Sequence, residues 1–582
     1  MIEANLVKKA YIRILPVQIL AYVVTAVNSI IDGLITARFI GTQAMAAVGF
    51  FAPVCTIIGI SQVVCIGVQI LCSKYVGSGK KRDAVNLFSS GVVFVSLYAV
   101  VVSLSCIFFR VPLSYLLGAR GETATMLQNY IVGYSFGVIG QVLSSMLMVF
   151  LPMNNDMKRS YVAIGVMVTT NIGLDVLFVN VLGLSLFGMG LATSVSFLAS
   201  TFVMILGFMK RKRPLSLSLK KISFKEIPHA AYLGLPNLMF TLGCTAKAYI
   251  LNRTLMLSVG DAAVAAMNVQ NSACALLGSI PAGCANSFIA LGSMYFGEHD
   301  RRSMETLMKY SVRVGTIISA VATALIMVCS TPIASAFYSV SDQAWTVTRR
   351  MLLLFPSFLI LNTLFNILMK TYQCQQKLNL VNVLSVSENL IIALLSAVFT
   401  PLIGTDAVWL SFPAGEIICL VVVAVSVFIR AGRITFGLDD WMKLDRNFGF
   451  REGDCLDLTV ASHDDVTSVS EKVMDFCLKK GIDRRRAMYS GLCIEEMACN
   501  AVDNGFNDGK DHTIDIRVVT KNGLTLRIRD DCKEFDPEKR LEQYVPGKDD
   551  VMSNIGVRIV AGLAREMTYR PIAGINTLLI KM

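Results

Sequence analysis

The sequence predicts two physically different parts in one chain: an all-α polytopic membrane region of twelve spanning helices in two six-helix lobes, then one soluble α/β domain. Three observations predict it. Of 582 residues, 54% are hydrophobic and only 16% charged, against roughly 25% charged in an average soluble domain. Twelve long apolar runs precede residue 432. Charge also divides unevenly, with 31 Lys+Arg and 17 Asp+Glu in residues 1–440 but 22 and 24 in 441–582. A single water-soluble globule is excluded. The fifteen Cys mostly stand singly in apolar runs, as Cys55, Cys65, Cys106, Cys244 and Cys419 do, and read as small buried hydrophobes rather than a disulfide framework. The polar start Met1 to Arg13 leads into an apolar run followed by many more, so a cleaved signal peptide is not expected.

A spanning helix needs about 20 mostly apolar residues. The runs are 14–35, 46–72, 84–108, 124–150, 160–180, 186–208, 229–251, 263–294, 311–330, 347–369, 379–400 and 407–429, the eighth long enough to tilt or break. Cations in short loops resist translocation. With both ends cytoplasmic, 24 Lys+Arg fall on the inner side, among them Lys8, Lys9, Lys210 to Arg213, Lys220, Lys221 and Lys370; 6 fall outside and Lys247 lies within a span. An inner-membrane, multi-pass protein with cytoplasmic termini follows. A repeat supports two lobes: Gly41-Thr-Gln-Ala44-Met-Ala46-Ala47 resembles Gly260-Asp-Ala-Ala263-Val-Ala265-Ala266 at an offset of 219, which Gly59 and Gly278 keep. The turn Gly77-Ser-Gly-Lys-Lys81-Arg82 falls on Gly297-Glu-His-Asp-Arg301-Arg302 at 220. Copies after the first and seventh spans have the same orientation, a repeat arrangement seen in secondary transporters with the substrate site between lobes. The predicted units are 1–215, 216–440 and, after the charged segment 431–446, 441–582.

Carboxylates inside spans cost a few kcal/mol, so each needs a reason. Asp32 follows the run Ile14 to Ile31. Asp175 follows Tyr161 to Leu174, and Asn171 one turn earlier shares its face, so an amide and a carboxylate can share a small cation or proton. The alternative is a satisfied buried polar residue. In the second lobe, Lys247 and Glu388 can pair across a cavity as a further polar site, and Glu416 can end a span against water.

These residues carry a resemblance. Pro16 and Ile31-Asp32-Gly33 in the first span, Gly41…Ala46-Ala47 opening the second and Gln69-Ile-Leu-Cys-Ser-Lys-Tyr-Val-Gly77 closing it resemble the multidrug and toxic compound extrusion (MATE) family. The resemblance implies a cation antiporter, driven by H+ or Na+, with Asp32, Asn171 and Asp175 as its ion-coupling site. A buried carboxylate exposed alternately to two aqueous phases lets an ion gradient drive a conformational cycle. No GxxxxGK[ST] phosphate loop is present; Gly77-Ser-Gly-Lys-Lys lacks its spacing and its Ser/Thr.

In the tail, the helix Arg485 to Phe506 carries Glu495-Glu496-Met-Ala-Cys-Asn500. Glu496 and Asn500 share a face, placing a carboxylate that can orient a water beside an amide that can hold Mg2+. Strands His512 to Val519 and Leu524 to Arg529 follow, then Asp530-Asp-Cys-Lys-Glu-Phe535-Asp-Pro537, then Asn554-Ile-Gly556 opening a helix. In this order the elements resemble the GHKL ATPase sandwich, in its anti-sigma-factor serine-kinase branch. The resemblance implies Glu496 as catalytic base, Asn500 as Mg2+ ligand, Asp530 as adenine contact, Gly556 as phosphate-loop glycine and Mg-ATP as cofactor. Cys532 and Glu534 stand where that motif has glycines, and Asn554 replaces the first glycine of the later pair. Lone His463 and His512 suggest no metal site.

The expected function is secondary export of small amphiphilic or cationic substrates across a lipid bilayer, with a nucleotide-binding-like regulatory domain. The alternatives are a membrane-tethered serine kinase or anti-sigma-like regulator, and a lipid or polysaccharide flippase. A cytoplasmic regulatory protein is a candidate partner, no nucleic acid is expected, and a monomer suffices because one chain supplies both lobes.

Overall fold

The computed structural model describes residues 3–209, 214–218, 222–258, 261–435, 437–445, 447–450, 453–506, 512–521, 523–544 and 554–582. Lys210 to Arg213, Lys220, Lys221 and Gly260 lie outside them. Among the described residues, ten helices are long and apolar enough to cross a membrane, from Leu6–Ile40 to Asp406–Ala431. The fourth predicted span is a pair, Gly121–Ser135 and Val138–Phe150, bent by 49°. The seventh is the 32-residue helix Ile227–Ser258, which carries Pro236. The long eighth run breaks at Gly278, between Asp261–Leu277 and Ser279–Gly297. The second span breaks at the matching place, with Ala52–Gly59 ending just before Ser61–Gly77.

The lobes meet across a pseudo-twofold relation visible in single contacts. A Cβ on Gly77 would stand 2.1 Å from the Met294 carbonyl oxygen, and one on Gly297 would stand 2.3 Å from that of Lys74. Both partners keep the spacing of 220, so the two helices cross reciprocally. Glycine is required there because the backbones touch. Pro16 and Pro236 also lie 220 residues apart, each inside the first helix of its lobe.

The tail is a five-stranded antiparallel sheet in the order β1-β2-β3-β5-β4, with β1 Cys455–Val460, β2 Ile514–Val519, β3 Thr525–Asp530, β4 Glu566–Ile572 and β5 Ile575–Lys581. One face buries Ile516, Leu526, Ile528 and Ile580 against Val469, Ile494 and Met497 of the helices His463–Lys479 and Arg484–Gly505. The opposite face carries Arg517, Arg527, Arg529 and Arg570, all buried. Pairing sets Arg517 opposite Arg527 and Asp515 opposite Arg529. Like charges this close need counter-charges, and the membrane half supplies them.

Asp300, in the turn between the eighth and ninth spans, accepts from Arg517 Nη1 at 2.7 Å, Arg527 Nη1 at 2.5 Å and Arg529 Nη1 at 3.5 Å. Glu298 meets Arg529 and, at 3.3 Å, Arg527. Burial alone would push the Asp300 carboxyl up, but the three guanidiniums hold it well below the usual carboxylate range. The β4–β5 tip docks on the first lobe: Ala573 N donates to Pro152 O at 3.1 Å, Gly574 N to Asn155 Oδ1 at 2.7 Å, and Arg13 Nη1 to Gly574 O at 2.5 Å. The soluble domain therefore grips both lobes on one side.

Removing one partner of a buried ion network costs about 3–5 kcal/mol, so Asp300→Asn should release the soluble domain from the spans. Limited proteolysis of the full-length protein should then cut within residues 431–455 far faster than in wild type; equal cutting would contradict the clamp. Because the folded carboxylate is held low, its contribution is present above about pH 4 and lost only in stronger acid.

Candidate functional site

Asp32 lies in the first span and Asp175 in the fifth, and the backbone widens into π-helix one turn beyond Asp32, at Thr36–Ile40, and directly after Asp175, at Val176–Val181. Such turns are frequent at functional sites because they redirect side chains and loosen the backbone ladder. Asp175 and Asn171 are buried, Asp32 half-buried. The two carboxyls lie within hydrogen-bonding reach of each other. Among the described residues no N–H or O–H reaches Asp32 Oδ1 or either oxygen of Asp175. Asn171 Nδ2 and Asn28 Oδ1 are likewise unpartnered. The sequence reading found Asn171 but not Asn28, which stands one turn before Asp32 as Asn171 stands before Asp175. The signal was the same i, i+4 spacing. Two carboxyls thus meet where their oxygens lack donors, with an amide one helical turn before each, a set suited to a proton or a small hard cation.

In the second lobe, Asn362 donates from Nδ2 to Glu388 Oε1 at 3.0 Å and to Glu416 Oε1 at 2.6 Å. Lys247 stands 5.4 Å from the Phe412 ring centroid, near enough for its charge to act on both glutamates. Glu416 does not end a span: it is 0% exposed, inside Asp406–Ala431. The i, i+28 spacing from Glu388 hid this partnership, since it is made by neighbouring helices. A cavity of 560 Å³ opens between the lobes, lined by Gln18, Tyr22, Asn286 and Glu388 among others, within the size range of small-molecule sites.

In the soluble domain, Asn500 donates from Nδ2 to Glu496 O at 2.7 Å, leaving Oδ1 as the atom able to face Mg2+. The start of helix Ile555–Leu563 comes against this pair: a Cβ on Gly556 would stand 2.0 Å from Glu496 Oε2. Asn554 has φ 52°, a left-handed conformation that asparagine tolerates better than most residues, so it preserves the turn of the glycine it replaces. Cys532 packs instead on the helix at Gly505. Asp530 accepts from Asn576 Nδ2 at 2.6 Å and Cys532 N at 3.0 Å. Burial nonetheless pushes its carboxyl up to about 6. Its neighbour Asp531 pairs with Lys9 of the first span at 2.5 Å. His512, expected to be alone, joins Asp531 and Cys532 in a cluster whose ligand atoms lie within 4.8 Å of one another.

Two family models match the chain. One, described as MatE, covers residues 18–177 and 239–399; the other, the histidine kinase-like ATPase domain, covers 459–582. The probable multidrug resistance protein YoeA of Bacillus subtilis is 23% identical over 354 residues, 59% of this chain and 76% of that protein. The multidrug export protein MepA of Staphylococcus aureus (strain NCTC 8325 / PS 47) is 25% identical over 252 residues, 42% of this chain and 55% of its own length. Among solved structures, a MATE protein in complex with MaD3S superposes with a TM-score of 0.68 at 21% identity, covering 73% of this chain and 96% of that one. A MOP-superfamily transporter from Pyrococcus furiosus gives 0.66 at 21%, covering 75% and 97%.

A folded carboxyl held near 6 favours the folded state only while protonated, and that contribution is lost as pH rises through about 6, at a cost of roughly 2–3 kcal/mol. Asp530→Asn should therefore raise the thermal stability of the full-length protein more at about pH 8 than at about pH 5. No gain at the higher pH would show that Asp530 is held for stability alone.

Proposed function

The chain belongs to the MatE family and carries a histidine kinase-like ATPase domain, and on that premise we propose a multi-pass antiporter that exports small amphiphilic or cationic molecules against an inward flow of H+ or Na+. The observation that carries it is the pair Asp32 and Asp175, brought together without a donor between them. Asn28 and Asn171 supply the amides around the ion, and the π turns after each aspartate are where the two spans can change shape when it binds or leaves. The inter-lobe cavity is the cargo chamber, with units 1–215 and 216–440 as the moving lobes. The curated relatives named as multidrug proteins support this cargo class. The proposed setting is an inner membrane with both termini cytoplasmic.

Asp175→Asn tests the role directly. The amide would give Asp32 the donor it lacks, so stability should hold or rise. Gradient-driven dye efflux in proteoliposomes should fall at least about tenfold, as expected when the coupling charge is lost. Undiminished efflux in both Asp32→Asn and Asp175→Asn would reject the site.

The soluble domain is proposed as a regulator of this cycle. It holds the cytoplasmic ends of both lobes through Asp300, the β4–β5 tip and the Lys9–Asp531 pair. Asp531 adjoins Asp530, the residue the GHKL resemblance assigns to adenine, so an occupant of that pocket would bear on the grip upon the first span. Lys9 and His512 hold the Asp531 carboxyl below its usual range despite burial. Mg-ATP, with Asn500 as the metal's side-chain ligand, would supply binding energy for that shift. Mg-ATP should change the efflux rate of wild type but not of Asn500→Ala, and Lys9→Gln should match the nucleotide-shifted rate without nucleotide. Identical rates with and without nucleotide would contradict the regulatory role.

A further inference from the structure

Building on the reading of the inter-lobe cavity as the cargo chamber, we propose that the preferred cargo carries a carboxylate beside its cationic amine, with Lys370 as the anchor for that anion. Asn362, Asn366 and Lys370 follow one another at i, i+4, i+8 on one face of the span Gln343–Cys374, and the eight-residue interval covers about 12 Å. One end of this stripe is acidic. Asn366 Nδ2 donates to Asn362 Oδ1 at 3.0 Å, and Asn362 in turn holds Glu388 and Glu416. A single ammonium, Lys247, acts on those two carboxylates.

The other end is basic. Lys370 Nζ donates to two amide oxygens, Asn237 Oδ1 at 3.1 Å and Gln373 Oε1 at 3.1 Å, and to no carboxylate among the described residues. An ammonium has three N–H donors, so neutral acceptors leave one for a ligand and leave the positive charge uncompensated. Both acceptors lie beside the proline of the helix Ile227–Ser258. Asn237 follows Pro236, whose ring removes a backbone donor from the seventh span, and Gln373 Nε2 donates to the nearby Leu233 carbonyl at 2.8 Å. A lysine four residues from a helix end would ordinarily extend its stem to reach water. Lys370 instead lines the cavity with Asn366, Asn237 and Glu388. Lys370 is half-buried, and an ammonium partly withdrawn from water without a counter-charge is costly; a carboxylate on the cargo would supply one while the cargo's amine meets the acidic end.

The test is binding by the purified full-length protein in neutral detergent, read by fluorescence polarisation, with rhodamine B and its ethyl ester. The two dyes share the cationic ring system, and only the first has a free carboxylate. Wild type should bind rhodamine B about tenfold more tightly than the ester, the worth of one charge-assisted hydrogen bond. Lys370→Met should lower the affinity for rhodamine B to that of the ester, and Lys370→Arg should keep the preference. Equal affinities in wild type, a Lys370→Met variant that weakens both dyes alike, or binding of neither dye would overturn the proposal. No ion gradient enters the measurement. A protein that keeps the preference but moves no dye against a gradient would sink the transport reading and leave the anchor standing.

Discussion

Asp32 and Asp175 face each other where no N–H or O–H of the described residues reaches the contact, and like charges in a region poor in water repel strongly unless a small cation stands between them. That requirement makes sense of the surroundings. Unpartnered Asn28 Oδ1 can offer an oxygen to a cation, and unpartnered Asn171 Nδ2 an N–H to a carboxylate. The backbone after each aspartate is π-helix rather than α-helix, so the two spans can answer a change of charge with a change of shape. A site built for stability alone would have a donor at this contact.

The second lobe solves a related problem differently. Glu388 and Glu416 share one amide, Asn362. Their stripe continues through Asn366 to Lys370, whose partners are neutral. The first lobe thus concentrates unpartnered acid, while the second spreads both signs of charge along the cavity. On one side of the spans the C-terminal domain ties the halves together through four buried arginines and a hairpin tip. Breaking such a contact is expensive unless another interaction replaces it.

Much of this could be read from the residue order. Long apolar runs and loop cations marked the spans, and the offset between Gly77 and Gly297 identified the pair of glycines at which the lobes cross. Asp32 and Asp175 stood out as charges in apolar runs. Other features were hidden for physical reasons. Alternation in Ile514-Asp-Ile-Arg-Val and Leu526-Arg-Ile-Arg reads as a strand with one wet face, yet its arginines are buried on the membrane half, because sequence alternation does not distinguish water from a docked acidic turn. Lys370 counted as a loop cation because it stands near a span end, and only the fold turns it toward Asn237. Asn554 looked like an eroded glycine, but its φ of 52° retains the backbone shape.

Counting ions taken up by the detergent-solubilised protein tests the central claim most directly, by calorimetric titration with sodium and by proton uptake in weakly buffered solution. One proton or one sodium ion bound per chain, and none in the Asp32→Asn, Asp175→Asn double variant, is the expected result. Equal uptake by the double variant, or no uptake by wild type, would show that the paired carboxylates hold no exchangeable ion.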